Sequence, residues 1–214
     1  MDASLRKFIK KSIPRWLITT QLHRKGQNTV FFTFDDGPHP DITPRVLDIL
    51  DTHRLIGAFF IVGNRIQRAP HLPEVILKRG HLLGNHSYTH RCHEHLSFVQ
   101  YYADIKLCSR RIYELTGHLP VLYRPPYGEV TLKSLLASRL LGMRFIHWTI
   151  ATGEYSFAKS LRSEQIKDIA ISNIRGRDIL LMHDDNALIP HVLDSMIIEL
   201  ENRNFNLANA HLLL

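Results

Sequence analysis

Apolar residues in this chain come either in short continuous runs or at intervals of three and four positions, and the two patterns alternate from residue 29 onward. A short apolar run bounded by turn residues reads as a buried strand, and three- and four-residue spacing reads as a helix. The pattern predicts strands near 29–34, 57–62, 81–86, 121–124, 144–148, 178–183 and 205–213. Helices are predicted near 42–53, 71–79, 97–116, 131–141, 160–174 and 190–203. Strands alternating with helices signal parallel βα units. No low-complexity tract, repeat or Pro/Gly/Ser-rich linker divides residues 27–214, so they read as one domain. Asp35, Asp36, His86, Arg124, Trp148 and His183 all fall at C-terminal ends of predicted strands. A barrel gathers polar groups from many strand ends, whereas an open doubly wound sheet concentrates them at one switch point. The expected fold is therefore α/β, a distorted (β/α) barrel of about seven parallel strands.

Residues 1–26 depart from this pattern. They hold Arg6, Lys7, Lys10, Lys11, Arg15, Arg24 and Lys25 against Asp2 alone, and so carry +6 of the net +7. The remainder, 20 basic against 19 acidic residues, is nearly neutral, which argues against a nucleic-acid-binding face. Leu5, Phe8, Ile9, Ile13, Trp16 and Leu17 recur at helical spacing among the basic residues, with Pro14 interrupting. Such a segment reads either as a helix covering one end of the core or as peripheral membrane contact through residues 1–22. It lacks the apolar run of a secretory signal, and no stretch is long enough to span a bilayer, so a cytoplasmic location is expected. Cys92 and Cys108 are too few for a disulfide framework and read as free thiols.

Four clusters can carry chemistry. Thr33-Phe34-Asp35-Asp36-Gly37-Pro38 places two adjacent carboxylates where a strand meets a turn. Successive strand residues point to opposite faces, so the two acids serve one site only if the turn re-aims one of them. His86 and His90 share a face if their segment turns helically, and with one aspartate they form a two-histidine, one-carboxylate set with open metal positions. Arg124 ends a strand before Pro125-Pro126-Tyr127-Gly128, where it can hold a carboxylate and free amides can face an oxyanion. His183 ends the strand Leu180-Leu181-Met182, as a group able to exchange a proton near neutral pH.

Thr-Phe-Asp-Asp-Gly at 33–37, His-Ser-x-x-His at 86–90, Arg-Pro-Pro-Tyr-Gly at 124–128, Trp-Thr at 148–149 and Leu-Met-His-Asp at 181–184 stand in one order. In these the chain resembles the polysaccharide deacetylases, the carbohydrate esterases that share the catalytic domain of the nodulation chitooligosaccharide deacetylase. The resemblance covers about residues 29–213 and implies a distorted barrel that hydrolyses the N-acetyl groups of N-acetylated saccharides. It implies a divalent metal, usually zinc, on Asp36, His86 and His90. By the same carry-over Asp35 is the general base oriented by Arg124, the Tyr127 amide helps hold the oxyanion, and His183 is the general acid.

The chain departs from the family at Ala151-Thr152-Gly153-Glu154-Tyr155, where Asp-x-x-Asp-Trp is usual. Glu154 then either supports His183 with altered geometry or leaves it unsupported, and Tyr155 changes a pocket wall. These departures motivate a carbohydrate-binding pseudoenzyme as the alternative class. Removal of another acyl group, such as formyl, from a lipid-linked amino sugar is the enzymatic variant. An iron oxygenase shares the ligand set but leaves Arg124 and His183 without roles. Cys92, His93 and His95 lie just past His90, with surface exposure or approach to the metal as the two readings.

Overall fold

The computed structural model describes residues 19, 28–92, 96–154, 163–207 and 209–214. The elements run β1 (Thr29–Asp35), α1 (Ile42–Thr52), β2 (Ala58–Ile61), α2 (Leu72–Lys78), β3 (Leu82–Asn85), α3 (Phe98–Thr116), β4 (Leu122–Tyr123), α4 (Leu132–Leu140) and β5 (Arg144–Phe145). They continue through β6 (Ile150–Ala151), α5 (Ser163–Asn173), β7 (Asp178–His183), α6 (Ile189–Asn202) and β8 (Asn206–Leu207). The basic leader apart from Thr19, residues 93–95 and Tyr155 lie outside the described residues, and with them the leader's two readings and those for His93, His95 and Tyr155.

All strand pairs are parallel, in the order β5-β4-β3-β2-β1-β7-β6, with β8 added to β1. No ladder joins β5 to β6 among the described residues, so the sheet is a half-barrel. β7 occupies one edge of β1 from Val30 to Asp35, while β8 and β2 share the other edge at its start and end. The predicted last strand, 205–213, is replaced by this two-residue strand and a helical turn at Ala210–Leu213. That turn buries Ala210 and Leu213 against Phe31 and Ile179, giving the apolar residues a packing role without a ladder. Expected strand 144–148 ends at Phe145, and β6 begins two residues beyond Trp148.

β1 is wholly buried, which is why its sequence is an unbroken apolar run rather than an alternation. Val30, Phe32 and Phe34 pack into the layer shared with the helices, including Leu47 and Leu193. Phe31 packs on the other face with Phe60, Leu122 and Ile146. The period of two then places Thr33 and Asp35 on the Phe31 face, inside the curve. Helix ends are fixed locally: α3 begins at Ser97 with a reciprocal capping box to Gln100 and ends at Gly117 in the left-handed region. Among the described residues no helix is long and apolar enough to cross a membrane.

Candidate active site

Asp35 continues the inward alternation of β1, and Asp36 leaves it with φ 74°, so the two carboxylates diverge at the turn as the sequence requires. Gly37 is needed there because a Cβ would lie 2.2 Å from the Asp184 carboxylate. Arg124 is fully buried, with its guanidinium 4.1 Å from the Phe60 ring centroid. Its Nη1 donates to Asp35 Oδ1 at 2.7 Å and to Thr33 Oγ1 at 2.9 Å. Thr33 in turn donates to the Leu180 carbonyl at 2.8 Å, tying this pair to β7.

His86 and His90 do converge, but not by a helical turn. Ser87 and His90 have φ of 65° and 53°, and the loop is held by side chains. Asp104 on α3 accepts from the Tyr88 and Thr89 amides at 3.0 and 3.2 Å, and Asn85 accepts from Ser87 N at 2.8 Å. His86 Nδ1 lies 2.7 Å from the Arg124 carbonyl, and burial keeps its pKa below the ordinary imidazole value against the pull of Asp35 and Asp36. A neutral ring donating from Nδ1 presents the Nε2 lone pair to the site.

Asp36, His86 and His90 offer ligand atoms all within 4.8 Å of one another. His90 Nε2 is 2.9 Å and His86 Nε2 3.6 Å from Asp36 Oδ1. That oxygen is buried and has no hydrogen bond of acceptable geometry, an unsatisfied position suited to a cation. Burial alone would raise the Asp36 pKa, yet the close His90 imidazole and the charges of His86, His90 and His183 hold it well below the usual carboxylate range. Two imidazoles and an ionised carboxylate therefore fit a divalent metal with positions left open.

His183 Nδ1 lies 2.8 Å from Glu154 Oε1, and Thr152 Oγ1 bonds the other Glu154 oxygen. Burial would depress the His183 pKa, but the Glu154 hydrogen bond and charge, with Asp35 and Asp36 behind them, raise it to about 9. The longer side chain at 154 thus reaches the histidine. Ala151 lies on β6 and lines the cavity.

These groups share a cavity of about 650 Å³ that Tyr127, Trp148 and Leu181 also line. Tyr127 has φ 58°, its side chain is exposed, and no hydrogen bond occupies its amide among the described residues. Gly128, φ 64°, lets Trp148 close over this turn, since a Cβ there would fall 2.4 Å from the indole. Cys92 is committed elsewhere, its Sγ 3.0 Å from Glu129 Oε1.

Arg65, Asp185 and Asp104 belong to none of the sequence motifs. Arg65 Nη1 bonds the Asp36 carbonyl and also Asp185 Oδ2 at 2.6 Å, joining the Asp36 turn to the loop after His183. Its position shortly beyond β2 was the one available signal, and an isolated arginine there is indistinguishable from a surface residue.

A family description, Polysaccharide deacetylase, matches residues 23–146, more than half of the chain. A peptidoglycan-N-acetylglucosamine deacetylase of Bacillus cereus is 30% identical over 183 residues, covering 84% of this chain and 85% of that protein. A family 4 carbohydrate esterase from Streptomyces lividans, solved with acetate, superposes with a TM-score of 0.76 at 26% identity, covering 85% of this chain and 92% of that one. A mutant CE4 family pseudoenzyme with restored enzymatic activity superposes with a TM-score of 0.82 at 25% identity, covering 90% and 69%.

Proposed function

The chain belongs to the polysaccharide deacetylase family, metal-dependent hydrolases of amide bonds in glycans, and we propose that it removes N-acetyl groups from peptidoglycan-type amino sugars using zinc. One observation carries this reading. Three metal-type ligand atoms within 4.8 Å share a cavity with a carboxylate fixed by a buried arginine and a histidine fixed by a buried carboxylate.

An acetamide needs an activated nucleophile, stabilisation of negative oxygen and a proton for its nitrogen. Asp36, His86 and His90 would hold the metal, and two nitrogens with one carboxylate suit zinc. When bound, the metal supplies Lewis acidity, lowering the pKa of water and polarising the acetyl carbonyl. Asp35 takes the proton of the attacking water, and Arg124 holds its other oxygen in place. The Tyr127 amide donates to the oxygen that becomes negative. His183 starts protonated under the influence of Glu154 and gives its proton from Nε2 to the leaving amine. Free amine and acetate result. The Glu154 contact favours this reading over a pseudoenzyme, because the acid keeps a supporting carboxylate.

The test is acetate release from N-acetylglucosamine oligomers and peptidoglycan fragments by protein stripped of metal and then titrated with zinc. Activity should rise to one equivalent of zinc per chain. Release that is unchanged by stripping and insensitive to zinc would exclude the proposal.

A further inference from the structure

Thr33 stands in the first motif yet takes no part in the reaction steps assigned to Asp35, His183 and the proposed metal ligands. It is fully buried, on the inward face of β1 that also presents Asp35. A buried hydroxyl needs a partner, and the Leu180 carbonyl at 2.8 Å would satisfy that need alone. Thr33 Oγ1 has a second contact, with Arg124 Nη1 at 2.9 Å.

The direction of these bonds is fixed by chemistry. A guanidinium only donates and a carbonyl only accepts, so the hydroxyl gives its proton to Leu180 and accepts from Arg124. The two N–H groups of Nη1 are thereby shared between Thr33 and Asp35 Oδ1, the latter at 2.7 Å. The rest of the guanidinium is loosely held among the described residues. Nη2 has no hydrogen-bond partner, Nε reaches the Ile146 carbonyl only at 3.4 Å, and the Phe60 ring against its face resists tilting but not rotation in the plane. Thr33 blocks that rotation. Without it, Asp35 can follow the arginine and turn toward His86 Nε2, already 3.7 Å from its Oδ2.

We propose that Thr33 is a positioning residue that holds the base through Arg124. Its anchor, the Leu180 carbonyl, belongs to β7, the strand that ends in His183. Base and acid are thus set against one frame, which matters because a misplacement of about 1 Å can cost about 10² fold in rate. The inference rests on the proposed role of Asp35 as base.

The test is a double-mutant cycle on zinc-loaded protein, reading steady-state and single-turnover acetate release from an N-acetylglucosamine oligomer. Thr33→Val keeps the shape and removes the hydroxyl. It should lower kcat and kcat/KM together by about 10- to 100-fold, with one zinc per chain retained. Thr33→Ser keeps the hydroxyl and should recover most of that loss. In an Asp35→Asn background, Thr33→Val should cost less than about twofold, because a residue acting only through the base has nothing left to hold. Where the valine variant does not fold, Thr33→Cys, a weaker hydrogen-bonding group of similar size, should give the same pattern with a smaller loss. Wild-type kcat in the folded valine or cysteine variant, a serine variant no better than it, or an equal loss in both backgrounds overturns the proposal. Wild-type turnover in Asp35→Asn alone overturns the base assignment itself, and the inference with it.

Discussion

Asp35 and His183 are direct partners in the parallel ladder between β1 and β7, each the last residue of its strand. Adjacent strands in register thus deliver the two groups assigned proton transfer in the proposed mechanism to the same end of the half-barrel. Asp35→Asn and His183→Ala should each lower kcat by about 10² to 10⁴ fold, the range for a general acid or base. Zinc stoichiometry should stay at one per chain, because neither group belongs to the Asp36–His86–His90 set. Single-turnover acetate release with metal analysis checks both.

In the proposed mechanism the His183–Glu154 pair sets the alkaline limit. With its pKa raised to about 9, a proton-donating His183 should hold activity well above the ordinary imidazole range. Glu154→Gln should move the alkaline limb of the pH–rate profile downward toward about 6.5. Glu154→Asp restores the family's residue type but withdraws the carboxylate by one methylene, so it should lower activity. The same pair affects stability with a definite sign. His183 binds its proton more tightly folded than unfolded, so the contribution is complete below about pH 6.5 and is lost as pH rises through about 9. It is on the order of 3 kcal/mol in metal-free protein. Urea unfolding of wild type and Glu154→Gln across this window measures it.

Asp184 has the opposite practical effect at neutral pH. It is wholly buried against Gly37, accepting from Thr43 Oγ1 at 2.5 Å. Burial, with the charges of Asp185 and Asp36, pushes its carboxyl up to about 7. The folded state therefore favours the protonated form, and stability should fall as pH rises from about 4 through about 7. Asp184→Asn should flatten that fall, read as a smaller Tm change between pH 4 and pH 7.

Arg65 joins the Asp36 carbonyl to Asp185 while remaining partly exposed in the cavity. Its removal frees the turn that aims the Asp36 carboxylate. Arg65→Ala should weaken zinc affinity by about 10- to 100-fold, the usual cost of losing support behind a metal ligand. Arg65→Lys should recover part of it. Chelator competition provides the measurement.

The large pattern was legible because strand and helix periods differ and both faces of this sheet are covered. α1, α3, α6, β1 and β7 lie within about two residues of their predicted limits for that reason. Short strands were not legible: Ile150–Ala151 pairs with Leu180 and Leu181 through a ladder too brief to leave a hydrophobic period. The C-terminal apolar residues misread as a long strand because Ala210 and Leu213 plug the barrel floor instead. At the site, the residues carried by sequential motifs come together in one cavity, whereas Asp104 and Arg65 reach them from α3 and the segment after β2. Such partners are defined by three-dimensional approach alone. Glu154 is the intermediate case, visible as a departure but interpretable only once its oxygen stood 2.8 Å from His183.

The most direct test pairs acetate and free-amine quantification from an N-acetylglucosamine oligomer, using zinc-loaded wild type beside Asp35→Asn at equal metal content. Wild type should release acetate and amine in equal amounts, and the variant should lose at least about 10² fold. Equal turnover by the two proteins, or acetate without an equivalent of free amine, would contradict the proposed mechanism.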